Sequence, residues 1–498
     1  MKNSKNLKNE SIKGFAWRLT QNVSTQLMGF IIQIVLARIL LPTDYGIIAL
    51  TSTFISILNV IVTTGFTSAL IQQKHIDEVD KSSMFYASLL IGIVLYLVVF
   101  FSAPFLSWFY KEELLTDVFR VQGISVLIAS IFSVHNAIII RDLSFKKSFV
   151  AGLVAVICQG LIGIPLALNG FGVWALVFGT LTNTIVNCLL TIILCRWLPK
   201  LVFSFSSIKK LFSFSSKILA GNVLNTIYNS SKTLVIGRAY DTELLGYYNK
   251  GYQFPITMMT GVDGAMTTVL FSSLSKIQDD KKRLVLYLRK SMKLSLTIVV
   301  PMLCGMAAVA DPMIRLLLTD KWAEAIPFVM LTCAICLTWP LSARTQALNA
   351  IGKSGTNLII NIIMKIIGIG LIFASIPFGV YVMCISSLFS FGISFTIYSV
   401  IISRNFDYPI KQQLTDVFPI YLVGFVMFGA VYLLSTILNV NLIIKLLVLV
   451  TIGVVIYVGL SLIFKMEGFL NVIDIIKGFF TKKKKAEIQQ NNNENIVK

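Results

Sequence analysis

Long apolar runs recur along almost the whole chain, separated by short stretches rich in Lys and Arg. A run of about 20 apolar residues can cross a bilayer as a helix. On that measure the pattern predicts fourteen spanning segments. The first six cover residues 12–38, 44–72, 82–107, 119–140, 148–168 and 172–196. The next six cover 210–236, 243–274, 285–310, 325–350, 356–376 and 378–403, and the last two 412–438 and 441–465. The expected fold class is an all-α polytopic membrane protein with no separate soluble domain. The first run is too long for the core of a signal peptide, so it is expected to remain as a helix.

Two of these segments carry a polar stripe at helical spacing. In the first, Arg18, Asn22, Thr25, Gly29 and Gln33 share a face; in the seventh, Ser215, Asn222, Asn225, Asn229 and Lys232 do. Each stripe ends in the same pattern, IVLARILLPTDYGIIA over residues 34–49 and LVIGRAYDTELLGYYN over 234–249. Arg38 aligns with Arg238 and Gly46 with Gly246, without a gap. Further on, FGVWALV (171–177) answers FGVYVMC (378–384), and Lys146 falls opposite Lys353. Six segments therefore repeat as six. Both copies begin on the same membrane face, as in parallel repeats related by an axis along the membrane normal. The expected organisation is an N-lobe over 1–209, a C-lobe over 210–410, two extra helices over 411–466 and a basic, disordered tail over 467–498. Two like bundles around a central cavity are a transporter architecture.

Charge fixes the orientation. With the N-terminus cytoplasmic, three inner loops are basic: Arg141 to Lys147, Arg196 to Lys210, and Lys276 to Lys293. The outer loops around Glu112, Glu113 and Asp117, and from Asp311 to Glu324, are neutral or acidic. The loop from Lys74 to Lys81 departs from the rule. An even segment count also places the run Lys482 to Lys485 inside, near anionic headgroups. Hydrophobic residues make up 56% of the 498 positions and charged residues only 13%, about half the usual share of a soluble domain. The net charge of +20 does not point to nucleic acid, because the cations sit in these loops. All seven cysteines, including the pair Cys333 and Cys336, lie in apolar segments and read as packing residues.

No P-loop, HExxH or nucleophile–base set is present, so neither an enzyme nor a bound cofactor or metal is expected. What stands out is the sign of charge inside the membrane. Arg18, Lys217, Lys232, Arg344 and Lys365 are cations; Asp263 is the clearest acid. Buried polar groups face a bundle interior or a water-filled cavity. A cationic cavity lined by these residues with Asn22, Thr25, Asn222, Asn225 and Asn229 would attract an anionic substrate such as a pyrophosphate headgroup. The competing readings are hydrogen bonds that glue the bundle, and snorkelling by Arg18, Lys217 and Arg344. Asp263 and His135 are candidates for proton or sodium coupling; ion pairing and structural hydrogen bonding are the alternatives.

Several stretches resemble bacterial polysaccharide and O-antigen flippases of the multidrug/oligosaccharidyl-lipid/polysaccharide superfamily, in the lipopolysaccharide and teichuronic acid export branch. They are LARILLPTDYGIIAL, LLGYYNKGYQFP, FSSLSKIQDD (271–280) and LLLTDKWAEAIPFVMLTCA. One departure is Ser272, where that family usually has proline. The resemblance spans roughly residues 10–470. It implies two six-helix lobes with two extra C-terminal helices. It also implies a multi-pass protein of the bacterial inner (plasma) membrane that carries undecaprenyl-pyrophosphate-linked oligosaccharide outward by alternating access. Expected partners are that substrate, membrane lipids and other polysaccharide-assembly proteins, with the transporter itself a monomer. Two competitors remain: a lipid II flippase, whose substrate also carries pyrophosphate, and a cation-coupled multidrug antiporter, whose cavity should be acidic.

Overall fold

The computed structural model describes residues 4–73, 76–275, 280–474 and 477. Side chains are described for all of these except 4–16, 18, 19, 22, 65, 66, 68, 69, 72, 210–214, 217 and 261–275. The described residues form sixteen α-helices and no strand. In chain order they are α1 (Ser4–Ile39), α2 (Pro42–Gln72), α3 (Glu78–Tyr110), α4 (Leu115–Arg141), α5 (Phe145–Leu168), α6 (Val173–Cys195), α7 (Phe205–Ala239) and α8 (Thr242–Ser275). Then come α9 (Lys281–Ala308), α10 (Ala310–Leu318), α11 (Ile326–Cys336), α12 (Ala343–Ala350), α13 (Ser354–Ser375), α14 (Val380–Asn405), α15 (Ile410–Ile437) and α16 (Leu442–Ile463).

Eleven helical stretches among the described residues are long and apolar enough to cross a membrane, with a shorter apolar run over Val23–Ile39. Helices α1, α2, α7 and α8 run through positions whose side chains are not described, so these eleven are no count of the whole chain and leave the expected fourteen open. One difference lies between 310 and 350. The expected loop from Asp311 to Glu324 contains α10 and a 3-10 turn, Asp320–Ala325. The segment beyond it is broken into α11, a 3-10 turn at Trp339–Ser342, and α12. Pro340 sits in that turn and cannot donate a backbone hydrogen bond. A break in a membrane helix must have its freed carbonyls satisfied locally. Tyr421 Oη donates to the Leu337 carbonyl at 2.7 Å, and Arg344 Nε to that of Leu341 at 3.3 Å.

The chain divides into two compact units, Met1–Asn249 and Lys250–Lys498. The first therefore includes α7 and the opening of α8, beyond the lobe boundary expected at 209. Within it α3 packs on α4, α5 on α6, α1 on α5, and α7 on α2 and α3. Small residues let the backbones close: a Cβ on Gly163 would meet the Ala175 carbonyl at 3.3 Å. In the second unit α9 packs on α15, and α15 on α16. Trp322, Phe328 and Leu296 are fully buried there. Residues 467–474, expected within the disordered tail, are helical. Gly468 lies against Thr297 and the Lys293 backbone of α9.

The matched pairs of the repeat have matched structure. Gly172 and Gly379 each precede a helix, α6 and α14, with φ of +52° and +94°. L side chains rarely adopt such values, which explains why both copies carry glycine.

Candidate functional site

Gly46 and Gly246 meet each other's helix starts within the first unit. A Cβ built on Gly46 would overlap the Thr242 carbonyl, and one on Gly246 would overlap that of Pro42. Pro42 and Thr242 are themselves equivalent positions, so the contact is reciprocal. The openings of α2 and α8 cross here with backbone against backbone. The paired arginines sit just upstream. The Arg238 guanidinium lies 4.9 Å from the centre of the Phe109 ring, a cation–π contact. The repeat's most visible motif thus builds a helix crossing.

The stripes above that crossing behave differently. On α1, Gln21 Nε2 donates to Ser148 Oγ at 2.9 Å and to the Ser148 carbonyl at 3.3 Å, joining α1 to α5. Thr25 Oγ1 donates to the Gln21 carbonyl at 2.7 Å, and its methyl lies toward Gly152 of α5. On α7, Asn222, Asn225 and Asn229 are exposed, and among the described residues their side chains make no hydrogen bond. Spacings of three, four and three residues put them on one face with half-buried Lys232. Near the other end of the helix, Ile236 is buried and Gly237 receives Leu50 of α2. The side chains of Arg18, Asn22, Lys217 and Asp263 lie outside the described residues.

The remaining candidates fall elsewhere. Arg344 is only 3% exposed, within the second unit. Its Nη1 donates to Ser399 Oγ at 2.8 Å, and its guanidinium lies 4.5 Å from the Phe395 ring centre. Together with its bond to Leu341, these contacts make Arg344 a brace between the broken helix and α14. Lys365 is half-buried on α13, one turn from Asn361. Asn361 belongs to an amide ladder: its Nδ2 donates to the Asn357 carbonyl at 2.8 Å, Tyr398 Oη donates to Asn357 Oδ1 at 2.7 Å, and Asn357 Nδ2 to Asn349 Oδ1 at 3.1 Å. His135 is 2% exposed, with Nδ1 2.9 Å from the Ile131 carbonyl. Its ring packs edge-on against Phe85 and Trp197 at 5.9 and 5.3 Å, so it serves as a member of an aromatic cluster. No group of acids, histidines and cysteines able to hold a metal occurs among the described residues.

One buried cation was not foreseen. Lys250 is 3% exposed and reaches Gln253 Oε1 at 3.3 Å. It is buried because the adjoining Gly251 packs directly on Phe328 and the Ala325 carbonyl. A lysine beside glycine and among aromatic residues, in YYNKGYQF, was the available signal.

An all-helical membrane bundle of this kind is a fold that other proteins share. The chain is similar to the succinoglycan biosynthesis transport protein ExoT of Rhizobium meliloti (strain 1021), with 26% identity over 342 residues, 68% of this chain and 69% of that protein. It is also similar to the lipopolysaccharide biosynthesis protein WzxC of Escherichia coli (strain K12), with 24% identity over 337 residues, 66% of this chain and 68% of that protein. Its fold matches the lipid II flippase MurJ in an inward closed conformation, with a TM-score of 0.73 at 18% identity, over 91% of this chain and 98% of that one. Residues 35–327, more than half the chain, match the polysaccharide biosynthesis protein profile, a stretch that holds both the reciprocal glycine crossing and the amide face of α7. The chain belongs to the polysaccharide biosynthesis protein family.

Proposed function

We propose that this chain moves a lipid-linked oligosaccharide, the repeat unit of an O-antigen, capsule or other surface polysaccharide, across the bacterial plasma membrane. The carrier lipid is undecaprenyl pyrophosphate, both chain ends lie on the cytoplasmic side, and the movement is alternating access. The observation that carries the reading is the amide face of α7. Polar side chains without partners do not face hydrocarbon, so a helix presenting Asn222, Asn225 and Asn229 in a membrane borders water. A polar path of that kind suits a sugar headgroup, and amides both donate to and accept from hydroxyls. Lys232, Lys365, Arg18 and Lys217 supply charge for the pyrophosphate. Arg344 supports the broken helix, and Asp263 is the candidate for a coupling proton or sodium ion. Family membership and the transport role in ExoT's name support this assignment.

The experiment is deletion of the gene. Surface polysaccharide is expected to be lost, with undecaprenyl-linked repeat units accumulating on the cytoplasmic side. Accumulation of lipid II instead would favour the peptidoglycan-precursor reading. Normal polysaccharide export together with increased drug sensitivity would sink the proposal in favour of a multidrug antiporter. Unchanged export in the Arg18→Ala, Lys365→Ala double variant would remove the charge mechanism assigned to those two.

A further inference from the structure

A second charged region lies at the polar end of α9, away from the amide stripe in sequence. Arg289 grips Asp416 of α15 through two bonds, Nε to Oδ2 at 2.6 Å and Nη2 to Oδ1 at 2.9 Å. Lys293, one turn on, reaches Asp416 at 2.9 Å and Glu467 at 2.6 Å. Tyr408 Oη donates a further bond to Asp416 at 2.8 Å. Burial and this bond to a carboxylate hold the Tyr408 phenol above its ordinary pKa, so it stays a donor. Asp416 is thus held by three donors and is the keystone of the cluster.

Glu467 is held differently. Its side chain is 74% exposed and its bond to Lys293 is its single ion pair among the described residues. A groove of about 430 Å³ opens at this point, lined by Leu286, Arg289, Lys290, Lys293, Glu467 and Leu470. Lys290 stands exposed on its rim, with no ion pair among the described residues. Three cations meet two carboxylates, which leaves a net positive groove. Leu286 and Leu470 are exposed beside it, 66% and 41%. The groove also sits where α9 changes from KKRLVLYLRKSMK to an apolar run, the kind of boundary at which basic residues of a membrane helix meet headgroups.

We propose that this groove binds the phosphate headgroup of a resident anionic phospholipid, distinct from the transported molecule. The phosphate sits between Lys290 and Lys293 and takes the place of the Glu467 carboxylate on the Lys293 ammonium. The first acyl carbons lie on Leu286 and Leu470. A soluble anion would gain nothing from those two leucines, which favours a lipid as the occupant. Because the groove is lined by α9 and by residues that follow α16, an occupied groove bridges two elements of the second unit.

The test is native mass spectrometry of the full-length protein released from nanodiscs of equal parts phosphatidylglycerol and phosphatidylcholine. Retained phosphatidylglycerol is expected on the wild type. Lys290→Gln is expected to lower it about fivefold, the effect of one cation near a membrane surface. Glu467→Gln is expected to raise it, since the competing carboxylate is gone. Both positions are exposed, so both variants should melt at the wild-type temperature. Equal retention by Lys290→Gln, or a loss in Glu467→Gln, overturns the proposal. So does displacement of the lipid by excess inorganic phosphate, which would reduce the groove to a plain anion site. Surface polysaccharide in cells carrying Lys290→Gln reads the transport function separately from binding.

Discussion

The helices α1 and α7 open the two copies of the repeat with the same kind of polar stripe, yet spend it differently. On α1, Thr25 of the stripe bonds back to its own helix, and Gln21 beside the stripe holds Ser148 of α5. On α7 the amides of Asn222, Asn225 and Asn229 are left open, while the helix packs on α2 and α3. Thr25 and Asn225, equivalent positions in the duplicated chain, therefore do not have equivalent surroundings. The polar residue alone does not distinguish glue from lining. The partner helix does, since α1 packs along α5 and Gln21 finds a hydroxyl there.

That contrast can be broken in three places. The largest effect is expected where the copies agree. Gly46→Ala or Gly246→Ala drives a methyl into a backbone carbonyl and should cost about 3 kcal/mol, the upper end of overpacking. Size-exclusion profiles in detergent should show either variant largely misfolded; a wild-type melting temperature for both would refute the reciprocal crossing. The next effect concerns transport alone. Replacing Asn222, Asn225 and Asn229 together by Leu should abolish polysaccharide export while leaving melting unchanged or raised, because no hydrogen bond is lost. A collapse in stability with this triple variant would mean that α7 is glued as α1 is. The smallest effect belongs to Gln21→Leu. Loss of its bonds to Ser148 should lower stability by about 1 kcal/mol with export nearly intact. Export loss at unchanged stability would place Gln21 on the transport path and erase the difference between the stripes.

The helices were largely legible in the sequence, because apolar runs between basic loops leave few alternatives in a membrane. The repeat was legible too, and it correctly singled out Gly46 and Gly246. Their partners were not, since nothing local says that Gly46 abuts Thr242. The break before Arg344 was signalled by Pro340 but hidden by the apolar continuity around it. Arg344 thus looked like a cavity cation, whereas it braces carbonyls and a hydroxyl. The cluster of Arg289, Lys293, Asp416 and Glu467 was also out of reach, because its cations lie more than a hundred residues from its carboxylates and nothing local pairs them. Sequence reports that a polar group is inside the membrane; only packing reports what it faces.

The reciprocal glycine crossing has a consequence for how such a chain can change over time. Each glycine touches the opening turn of the other copy, so the two hairpins are read in register, like teeth of one gear. One residue inserted near either crossing would turn that helix by about 100° and bring a side chain where only hydrogen fits. Insertions and deletions should therefore be tolerated in the loops and the tail but refused between residues 38 and 46 and between 238 and 246. A half taken from a relative would function only if it kept both spacings.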